Sequence, residues 1–316
     1  MQDKKIAVLF PGQGSQYLGM GQSFLEADSE AGQLMNMAEQ ASGLPIRRLC
    51  LEGPMEELTK AVYLQPALTA VNLICWQAVK KAGVQPEYFA GHSLGEYSAL
   101  CASGVLAVED TLRLVAERGR LSEREGQKNP GGMQAVLGMT LEEVEELLAT
   151  FPDSDNVSIA NHNTEKQIVV SGYHETLAAL EGMVNEKGGK AITLNVSVAN
   201  HSPLVAGAIP DFEKIMADIS FNPPETPVLF NVNAAEEKEP AAIRAIMSRQ
   251  IASRVRWFEI INSLVDKGVT HFIEVGPKKV LSGLMKKIAP KSSGCKTYQV
   301  DSPESLVRCL DGLNGN

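Results

Sequence analysis

The sequence lacks the features expected of membrane-spanning, disulfide-bonded and nucleic-acid-binding proteins. No apolar run in its 316 residues approaches the roughly eighteen that a bilayer-spanning helix needs. The N-terminal segment passes from charge into a strand-like run without a small-residue cleavage site, so we expect no signal peptide. The five cysteines are scattered and include no C-x-x-C pair, which argues against a disulfide framework or zinc site and favours a reducing, cytoplasmic compartment. A net charge of −9 disfavours nonspecific nucleic-acid binding.

What the chain does contain is a regular alternation of strand-like and helix-like segments. Continuous apolar runs at 5–10 (KIAVLF) and 88–91 (YFAG) are typical of buried strands. The segment 66–82 is predicted as a mostly buried helix that opens with Pro66, and 109–125 as a more polar helix. This alternation resumes in the final third of the chain. It indicates an α/β protein with a mainly parallel sheet and helices on both faces.

A proline–glycine break interrupts this alternation in the middle of the chain. The break, NPGG, covers 129–132 and is followed by two strand–helix–strand patterns of modest size. Units of that size, bounded by breaks, predict a small α+β lobe over 130–198. The large domain is then expected to consist of 1–129 and 199–316, with the lobe inserted between them.

Ser93 lies between two glycines in the stretch FAGHSLGEYSAL (89–100). The G-x-S-x-G pattern between a short strand and a helix is typical of a nucleophile elbow. Its glycines permit a tight turn that exposes the serine at a helix N-terminus, where backbone N–H groups stabilise a developing oxyanion. An ordinary glycine-rich connection between strand and helix gives the same pattern, so the motif alone leaves both interpretations open.

A serine nucleophile needs a base, and the chain offers five histidines. His201 is best placed, because Ser202 and Pro203 have the character of an N-cap and first helical position and so put His201 on a strand-to-helix loop. Such loops are where α/β proteins build their sites. The other four have structural explanations: a position packed beneath the turn for His92, solvated or capping loop positions for His162 and His174, and a satisfied strand interior for His271.

Arg118 lies on the inward face of its predicted helix. The polar residues of this helix form one stripe from Arg113 to Arg124, whereas Arg118 shares a face with Leu114 and Leu121. A guanidinium directed inward needs an anionic partner, because it does not give up its charge. That partner is either an acidic residue of this chain, in a buried ion pair, or a substrate carboxylate held by a bidentate clamp.

The first glycine loop, FPGQGSQYLGMG (10–21), does not match a nucleotide-binding motif. From Gly12 and Gly14, the G-x-G-x-x-G pattern requires glycine where Tyr17 stands, and no G-K-S/T sequence follows. The loop instead offers backbone N–H groups directly after the first strand. These can serve as a second oxyanion donor.

Seven short motifs occur along the chain in an order found in one enzyme family. They are FPGQGSQYLGMG (10–21), QPAL (65–68), GHSLGEYSAL (91–100), RG (118–119), HSPL (201–204), RQ (249–250) and EVGPKKVLSGL (274–284). Together they resemble the malonyl-CoA:acyl carrier protein transacylases, over essentially the whole chain. The resemblance implies a hydrolase-like α/β core with a nucleophile elbow, interrupted by a small ferredoxin-like lobe.

The resemblance also implies a function. A malonyl group would pass from malonyl-CoA to the phosphopantetheine thiol of acyl carrier protein by a ping-pong route in fatty acid biosynthesis. Ser93 would form a malonyl ester and His201 would accept its proton. The remaining implied roles are a carbonyl group at Gln250 that orients the histidine, oxyanion-hole N–H groups at Gln13 and Leu94, and a carboxylate clamp at Arg118. No metal or cofactor is expected, and the chain is expected to be a monomer that binds no nucleic acid or membrane.

Two positions depart from the pattern that is frequent in this family. Asn200 precedes His201 where relatives that select malonyl groups often carry phenylalanine or serine, which weakens inference about acyl size. Lys278 follows EVGP, where glycine is frequent.

A basic patch is expected near the C-terminal helix of this acidic protein. Its members are Lys278, Lys279, Lys286 and Lys287, with Arg254 and Arg256. The patch is either a docking surface for an acidic carrier protein or a merely solvated helix face.

Other functions share part of these features. A serine esterase or thioesterase would use Ser93 and a histidine, but it has little need for Arg118 and normally supplies an acidic third member. A stand-alone acyltransferase of a polyketide synthase, or a malonate decarboxylase subunit, would look nearly the same in sequence. A noncatalytic carrier-binding module is disfavoured by the intact Ser93, His201 and Arg118.

Overall fold

The described part of the chain contains two β-sheets of different kinds. The structure, a computed structural model, describes residues 4–289 and 293–315. The N-terminal segment, in which we expect no signal peptide, begins with three residues that lie outside the described part of the chain. The strands of the described part are β1 (Ile6–Phe10), β2 (Tyr88–Gly91), β3 (Gly131–Leu137), β4 (Val157–Thr164), β5 (Gln167–Tyr173), β6 (Lys190–Thr193), β7 (Val228–Leu229), β8 (His271–Val275) and β9 (Lys296–Val300).

The helices surround these strands. The α-helices of the described part are α1 (Gln22–Ala27), α2 (Ser29–Ser42), α3 (Ile46–Leu51), α4 (Met55–Leu58), α5 (Ala61–Lys81), α6 (Gly95–Ala102), α7 (Val108–Lys128), α8 (Leu141–Thr150), α9 (His174–Glu186), α10 (Ile209–Ala217), α11 (Pro240–Gln250), α12 (Trp257–Asp266), α13 (Val280–Ile288) and α14 (Pro303–Asn314). Within the described residues, short 3₁₀ helices cover Ser154–Asn156 and Pro203–Ala208.

The larger sheet is parallel and has the strand order β7-β2-β1-β8-β9. Crossover helices cover both faces of such a sheet, so its strands are apolar on both sides. The central strand β1 shows this directly: Val8 and Phe10 pack into one apolar cluster with α5, and Ala7 and Leu9 pack into another with α12 and α13. The expected mainly parallel sheet is therefore present.

The smaller sheet is antiparallel and has the order β4-β5-β3-β6. Helices α8 and α9 cover one face, where Val136 packs with Leu147 and Leu180. The opposite face carries Met133 and Val169. Alternation along a strand explains this division, because successive side chains point to opposite faces.

Two predicted helices differ from the observed ones in their bounds. The predicted start of a helix at Pro66 is wrong: α5 begins a turn and a half earlier, with Ala61 and Leu64 buried. Burial of that first turn outweighs the hydrogen bond that a proline inside a helix cannot donate. Helix α7 extends beyond the predicted 109–125 at both ends. Its Gly119 permits close packing on α5, because a Cβ there would lie 2.6 Å from the Ala61 carbonyl oxygen.

Parallel pairing brings two glycine loops to one edge of the larger sheet. The first glycine loop follows β1 and the Ser93 turn follows β2, and these strands are neighbours. Sites in α/β folds form at such carboxyl edges. Within residues 4–289 and 293–315, no helix combines the length and apolar character that crossing a membrane requires.

Candidate active site

Ser93 sits on a strained turn between β2 and α6. Its φ of 52° lies in the left-handed region, which costs a non-glycine residue on the order of 1–3 kcal/mol. A Cβ added at Gly91 would lie 2.1 Å from the Gly95 carbonyl group, and one added at Gly95 would lie 2.1 Å from the Phe10 carbonyl oxygen. Only glycine fits at either position. The turn therefore closes tightly and leaves the serine partly exposed.

His201 meets Ser93 across the site. The Ser93 Oγ atom lies 2.6 Å from His201 Nε2. On the other side of the ring, Nδ1 lies 3.1 Å from the Gln250 carbonyl oxygen and 2.9 Å from the Ser253 carbonyl oxygen. Carbonyl oxygens only accept hydrogen bonds, so Nδ1 carries the proton and Nε2 presents its lone pair to the serine.

The surroundings of His201 keep its imidazole neutral. Burial, with the nearby Arg118 charge as the next cause, lowers the pKa of His201 to about 3. Hydrogen bonds to the Gln250 and Ser253 carbonyl oxygens oppose this shift. A neutral histidine is the form that can accept the proton of a serine hydroxyl.

The loop before the 3₁₀ helix places His201 by local means. Ser202 accepts a hydrogen bond from the Leu204 N–H, and Pro203 takes the first helical position, as the sequence pattern predicts. His201 itself has a φ of 60°, in the left-handed region. Its N–H donates to the Ile251 carbonyl oxygen at 2.9 Å, which anchors the strained backbone.

Arg118 is buried, with 2% of its surface exposed, and its hydrogen-bond partners in the described part of the chain are amides. Its Nη1 donates to Gln65 Oε1 at 3.0 Å and its Nη2 donates to Gln250 Oε1 at 3.1 Å. Its guanidinium carbon lies 5.7 Å from the centre of the Tyr97 ring. Its Nε is buried without a hydrogen-bond partner, and none of the ion pairs in the described part of the chain includes Arg118. The alternative of a direct buried ion pair is thus not found among the described residues.

A small cavity of about 80 Å³ lies between the serine, the histidine and the arginine described above. Ser93, His201 and Arg118 line it, and so do the two predicted oxyanion-hole residues, Gln13 and Leu94. The first glycine loop lies close to the serine turn, because a Cβ at Gly12 would lie 2.4 Å from the His92 carbonyl oxygen. The apolar part of the wall comes from the smaller sheet and the segment after β6: Met133, Leu194 and Val196.

Asn231 supports the serine turn, and the sequence pattern did not identify it. Its Oδ1 accepts a hydrogen bond of 2.7 Å from the Ser93 N–H, and its Nδ2 donates one of 2.7 Å to the Gly91 carbonyl oxygen. Asn231 follows the short strand β7, next to β2. No local motif surrounds it, so only the pairing of these strands reveals the contact.

Glu96 and Ser253 are further residues that the sequence pattern did not single out. Glu96 is fully buried beneath the site and contacts Asn231 and Gln250. It belongs to the quoted motif GHSLGE, so a signal was available for it. Ser253 contributes only its carbonyl oxygen, which no side-chain pattern can reveal.

The remaining histidines lie outside the serine–histidine pair. The loop position expected for His162 is wrong: it lies within β4, buried, with Nδ1 3.2 Å from Glu259 Oε1. His92 Nε2 lies 2.7 Å from Asn163 Oδ1, and its ring packs against Trp257. His174 is exposed at the start of α9. His271 is buried in β8 with its Nδ1 2.8 Å from Thr270 Oγ1, but the expected full satisfaction is wrong, because its Nε2 is buried without a partner among the described residues. Among the described residues, no cluster of three His, Cys, Asp or Glu side chains could hold a metal ion.

The six residues of the expected basic patch divide into two groups. The four lysines, Lys278, Lys279, Lys286 and Lys287, are exposed and form no ion pair with the described residues. The two arginines are engaged: Arg254 pairs with Glu145 at 3.0 Å and Arg256 with Glu259 at 3.7 Å. The exposed charge of the patch is therefore carried mainly by α13 and the loop before it.

Comparison with known proteins gives a consistent result. Residues 8–300 match the family described as the acyl transferase domain. The malonyl CoA-acyl carrier protein transacylase of Bacillus subtilis (strain 168) is 38% identical over 311 residues, which is 98% of this chain and 97% of the relative. The polyketide biosynthesis malonyl CoA-acyl carrier protein transacylase BaeC of Bacillus velezensis is 38% identical over 288 residues, 90% of this chain and 96% of the relative.

A solved structure matches the fold over nearly its full length. It is that of the malonyl-transacylase PlMCAT in complex with AntF, a type II polyketide synthase acyl-carrier protein. The TM-score is 0.93 at 33% sequence identity, and the match covers 98% of this chain and 100% of that chain.

Proposed function

The chain belongs to the acyl transferase domain family, as an acyl-carrier-protein S-malonyltransferase, and we propose that it transfers malonyl groups through a Ser93 ester to supply fatty acid biosynthesis. The donor is malonyl-CoA and the acceptor is the phosphopantetheine thiol of an acyl carrier protein. The observation that carries the proposal is the Ser93–His201 hydrogen bond in a cavity shared with a buried arginine that has no acidic partner.

In the first half-reaction, His201 Nε2 takes the proton from Ser93 Oγ as the oxygen attacks the thioester carbonyl carbon. The tetrahedral intermediate carries a negative oxygen, which the backbone N–H groups of Gln13 and Leu94 stabilise. Collapse breaks the carbon–sulfur bond, and the imidazolium returns its proton to the departing CoA thiolate. The products are free CoA and a malonyl ester on Ser93, and no external oxidant or reductant is needed.

The second half-reaction reverses these roles with a different thiol. His201 takes the proton of the phosphopantetheine thiol, and the sulfur attacks the ester carbonyl carbon. Collapse breaks the bond to Ser93 Oγ, which recovers its proton from His201. The same two side chains serve both steps, as expected for a ping-pong transfer.

A carbonyl group is a weaker support for an imidazolium than a carboxylate is. The Gln250 and Ser253 carbonyl oxygens orient the ring and fix its tautomer, but they carry no full negative charge. A thioester has a good leaving group, so the reaction tolerates this weaker base arrangement. The low pKa of His201 also favours rapid return of the proton to the leaving thiolate.

Arg118 is the proposed clamp for the malonyl carboxylate. A guanidinium binds a carboxylate through two parallel hydrogen bonds, and burial strengthens the charge attraction. The Nε of Arg118 is free for such a bond, while Gln65 and Gln250 hold Nη1 and Nη2. This assignment explains why a cation stands on the inward face of α7.

The second candidate function is the same malonyl transfer in a polyketide pathway. Relatives named for polyketide biosynthesis reach 38% identity, equal to that of the Bacillus subtilis transacylase. The two pathways differ in the carrier protein that receives the malonyl group. Parallel transfer assays with a fatty acid carrier and a polyketide carrier distinguish them by the ratio of kcat/KM values.

The proposal includes the division of the chain into two domains. The large one, 1–129 and 199–316, would be the hydrolase-like core with its nucleophile elbow, and 130–198 would be the ferredoxin-like lobe. The β-α-β-β-α-β order and antiparallel pairing of β3 to β6 support the second description. We propose further that the chain acts in the cytoplasm as a monomer with acyl carrier protein as its partner.

Intact-protein mass spectrometry tests the proposed function. Brief incubation with malonyl-CoA is expected to add one malonyl group to the wild type and none to Ser93→Ala. Arg118→Ala is expected to lose the malonyl adduct and keep or gain an acetyl adduct from acetyl-CoA. Arg120→Ala, on the exposed face of the same helix, is the matched control and should behave as the wild type. Release of CoA from the wild type without any adduct would indicate a hydrolase and refute the transfer.

A further inference from the structure

Glu96 is a fully buried carboxylate beneath the site, and the proposed reaction assigns it no role. It lies in the first turn of α6, three residues after Ser93, and none of its surface is exposed. An ionised carboxylate is costly to bury unless its oxygens are hydrogen-bonded and its charge is balanced. Its position and contacts therefore require an explanation.

Both carboxylate oxygens of Glu96 accept hydrogen bonds from N–H groups of the site. Oε1 accepts from the Asn231 N–H at 2.6 Å. Oε2 accepts from Gln250 Nε2 at 2.8 Å. The same Nε2 also donates to the Ser93 carbonyl oxygen at 2.8 Å. Glu96 thus reaches the nucleophile turn and the arginine through two intermediate residues.

Gln250 connects Glu96 to Arg118 through its side-chain amide. Gln250 Oε1 accepts from Arg118 Nη2 at 3.1 Å, while Gln250 Nε2 donates to Glu96 Oε2. The three groups form a chain of carboxylate, amide and guanidinium. We infer that Glu96 is a positioning residue: its carboxylate sets the direction of the Gln250 amide and thereby holds Arg118 for the carboxylate of the acyl substrate.

The two ends of the Gln250 amide differ in what they bind: the oxygen accepts hydrogen bonds and the NH₂ group donates them. A half-turn of the amide exchanges its oxygen and nitrogen, so a glutamine alone does not determine which end meets the arginine. A carboxylate only accepts hydrogen bonds and therefore selects the NH₂ end. The oxygen end then accepts from Arg118, whose guanidinium only donates hydrogen bonds. The Ser93 carbonyl oxygen favours the same orientation, because it also accepts from Gln250 Nε2. A neutral side chain at position 96 that turns a donor toward Gln250 Nε2 opposes this orientation.

Charge supports the same arrangement. Arg118 is a buried cation without a direct ion pair, and Glu96 supplies a negative charge one amide away. A direct ion pair would occupy the guanidinium edge that the substrate needs. An amide between the two charges balances the arginine and leaves its Nε without a protein partner.

The pKa of Glu96 reflects opposing effects. Burial raises its pKa to about 8, while the Asn231 and Gln250 hydrogen bonds and the Arg118 charge lower it. A proton on either oxygen would face an N–H group rather than an acceptor. The hydrogen bonds of the ionised form are therefore complete, and with a pKa of about 8 this form gains population as the pH rises toward and beyond that value.

The test compares acyl groups with and without a carboxylate, and it rests on the proposed function. Glu96→Gln keeps the shape of the side chain but replaces one carboxylate oxygen by an NH₂ group, which then faces a donor, either Gln250 Nε2 or the Asn231 N–H. Single-turnover rates of acyl-Ser93 formation are measured with malonyl-CoA and with acetyl-CoA on the full chain. The malonyl rate is expected to fall about 10- to 100-fold and the acetyl rate by less than about threefold, as one misplaced group in a site costs up to roughly 10²-fold. Glu96→Asp, which keeps the charge, should restore part of the malonyl rate.

Glu274→Gln is the matched control. Glu274 is also fully buried and accepts hydrogen bonds from the Leu281 and Ser282 N–H groups, away from the cavity. It should lower thermal stability without changing the malonyl-to-acetyl ratio. Equal losses of both rates in Glu96→Gln, or no loss, would overturn the inference. A wild type that forms no malonyl-serine would instead refute the proposed function itself, so the two failures are distinguishable.

Discussion

Ser93 Oγ lies 2.6 Å from His201 Nε2, although 108 positions separate the two residues in the chain. Both have a positive φ, 52° for Ser93 and 60° for His201. Two strained residues facing each other are stable only because their surroundings hold them. The Ser93 N–H is held by Asn231 and the His201 N–H by the Ile251 carbonyl oxygen. This support suggests how individual substitutions will act.

Replacing His201 by asparagine should remove the base with little damage to the fold. Asparagine tolerates the left-handed region better than most residues. The rate of malonyl-serine formation is expected to fall by on the order of 10²–10⁴, the usual contribution of general-base catalysis. Rapid-quench single-turnover measurements give this rate. His174→Asn, at an exposed site, is the control, and an unchanged rate in His201→Asn would mean that another group is the base.

The lowered pKa of His201 predicts that the stability of the wild type depends on pH differently from that of His201→Asn. The pKa of His201 is lowered from 6.5 to about 3 in the folded state, so between these values the unfolded chain binds more protons. The contribution of neutral His201 is complete above pH 6.5 and is lost as the pH falls toward 3, by up to about 1.36 kcal/mol per unit. The wild type should lose stability relative to His201→Asn as the pH is lowered.

Urea denaturation of the wild type and of His201→Asn at each pH measures the difference between their free energies of unfolding. The comparison with His201→Asn is needed because Glu96 has the opposite effect on stability. Burial raises the pKa of Glu96, so its contribution to the stability of the fold decreases as the pH rises. Glu96 is common to both chains, so its contribution cancels to first order. A difference in unfolding free energy that is constant over this range would contradict a buried, neutral His201.

Asn231→Ala should impair turnover more than substrate binding. Without its side chain, the Ser93 N–H and the Gly91 carbonyl oxygen lose their partners and the strained turn can relax. A displaced nucleophile is expected to lower kcat by roughly 10²-fold, with a smaller change in the KM for malonyl-CoA. Asn233→Ala, an exposed neighbour, is the matched control. Equal changes in kcat and KM for Asn231→Ala would argue for a binding role instead.

Gly12→Ala tests the proposed oxyanion hole. Its Cβ would lie 2.4 Å from the His92 carbonyl oxygen, so the loop that carries Gln13 must move away from the serine turn. Loss of one oxyanion donor costs on the order of 10²–10³ in kcat. The control is Gly182→Ala in α9, where a Cβ meets nothing within 4 Å. That variant should keep full activity and gain about 0.5–1 kcal/mol in stability. Steady-state kinetics and thermal unfolding check both expectations.

Reversing the charge of Lys286 and Lys287 tests the basic patch as a carrier-docking surface. Both lysines are exposed on α13 and form no ion pair with described residues. The double glutamate variant should raise the KM for acyl carrier protein several-fold and leave the KM for malonyl-CoA unchanged, with the difference shrinking at high salt. Lys187→Glu with Lys190→Glu, on the smaller lobe, is the control. Unchanged carrier kinetics would mean that these lysines are only solvated.

Much of the site could be predicted from the spacing of residues that are close together in the sequence. The Gly91–Gly95 pattern predicts the tight serine turn because steric exclusion acts between neighbours in the chain. Helical periodicity predicts the burial of Arg118, which the structure shows. Ser202 and Pro203 predict the helix start after His201. Each of these predictions depends on residues within a few positions of one another.

Tertiary packing overrode the local signals elsewhere. Pro66 is a good helix start by its own preference, yet α5 begins at Ala61 because the preceding turn buries apolar surface against α7. His162 has the sequence surroundings of a loop, yet it pairs in β4 and packs against Phe258. In both cases burial against a distant segment exceeds the local preference.

The sequence by itself therefore determined the α/β class, the serine turn, the inward arginine and the family to which the chain belongs. Only the tertiary structure decided that Arg118 has an amide rather than a carboxylate as its partner, and that Asn231, Glu96 and the Ser253 carbonyl group support the site. The physical reason is that steric and periodic effects act over a few residues and can be recognised as patterns. Hydrogen bonds between distant segments depend on the directions of individual atoms, which are set only when the sheets and helices pack together.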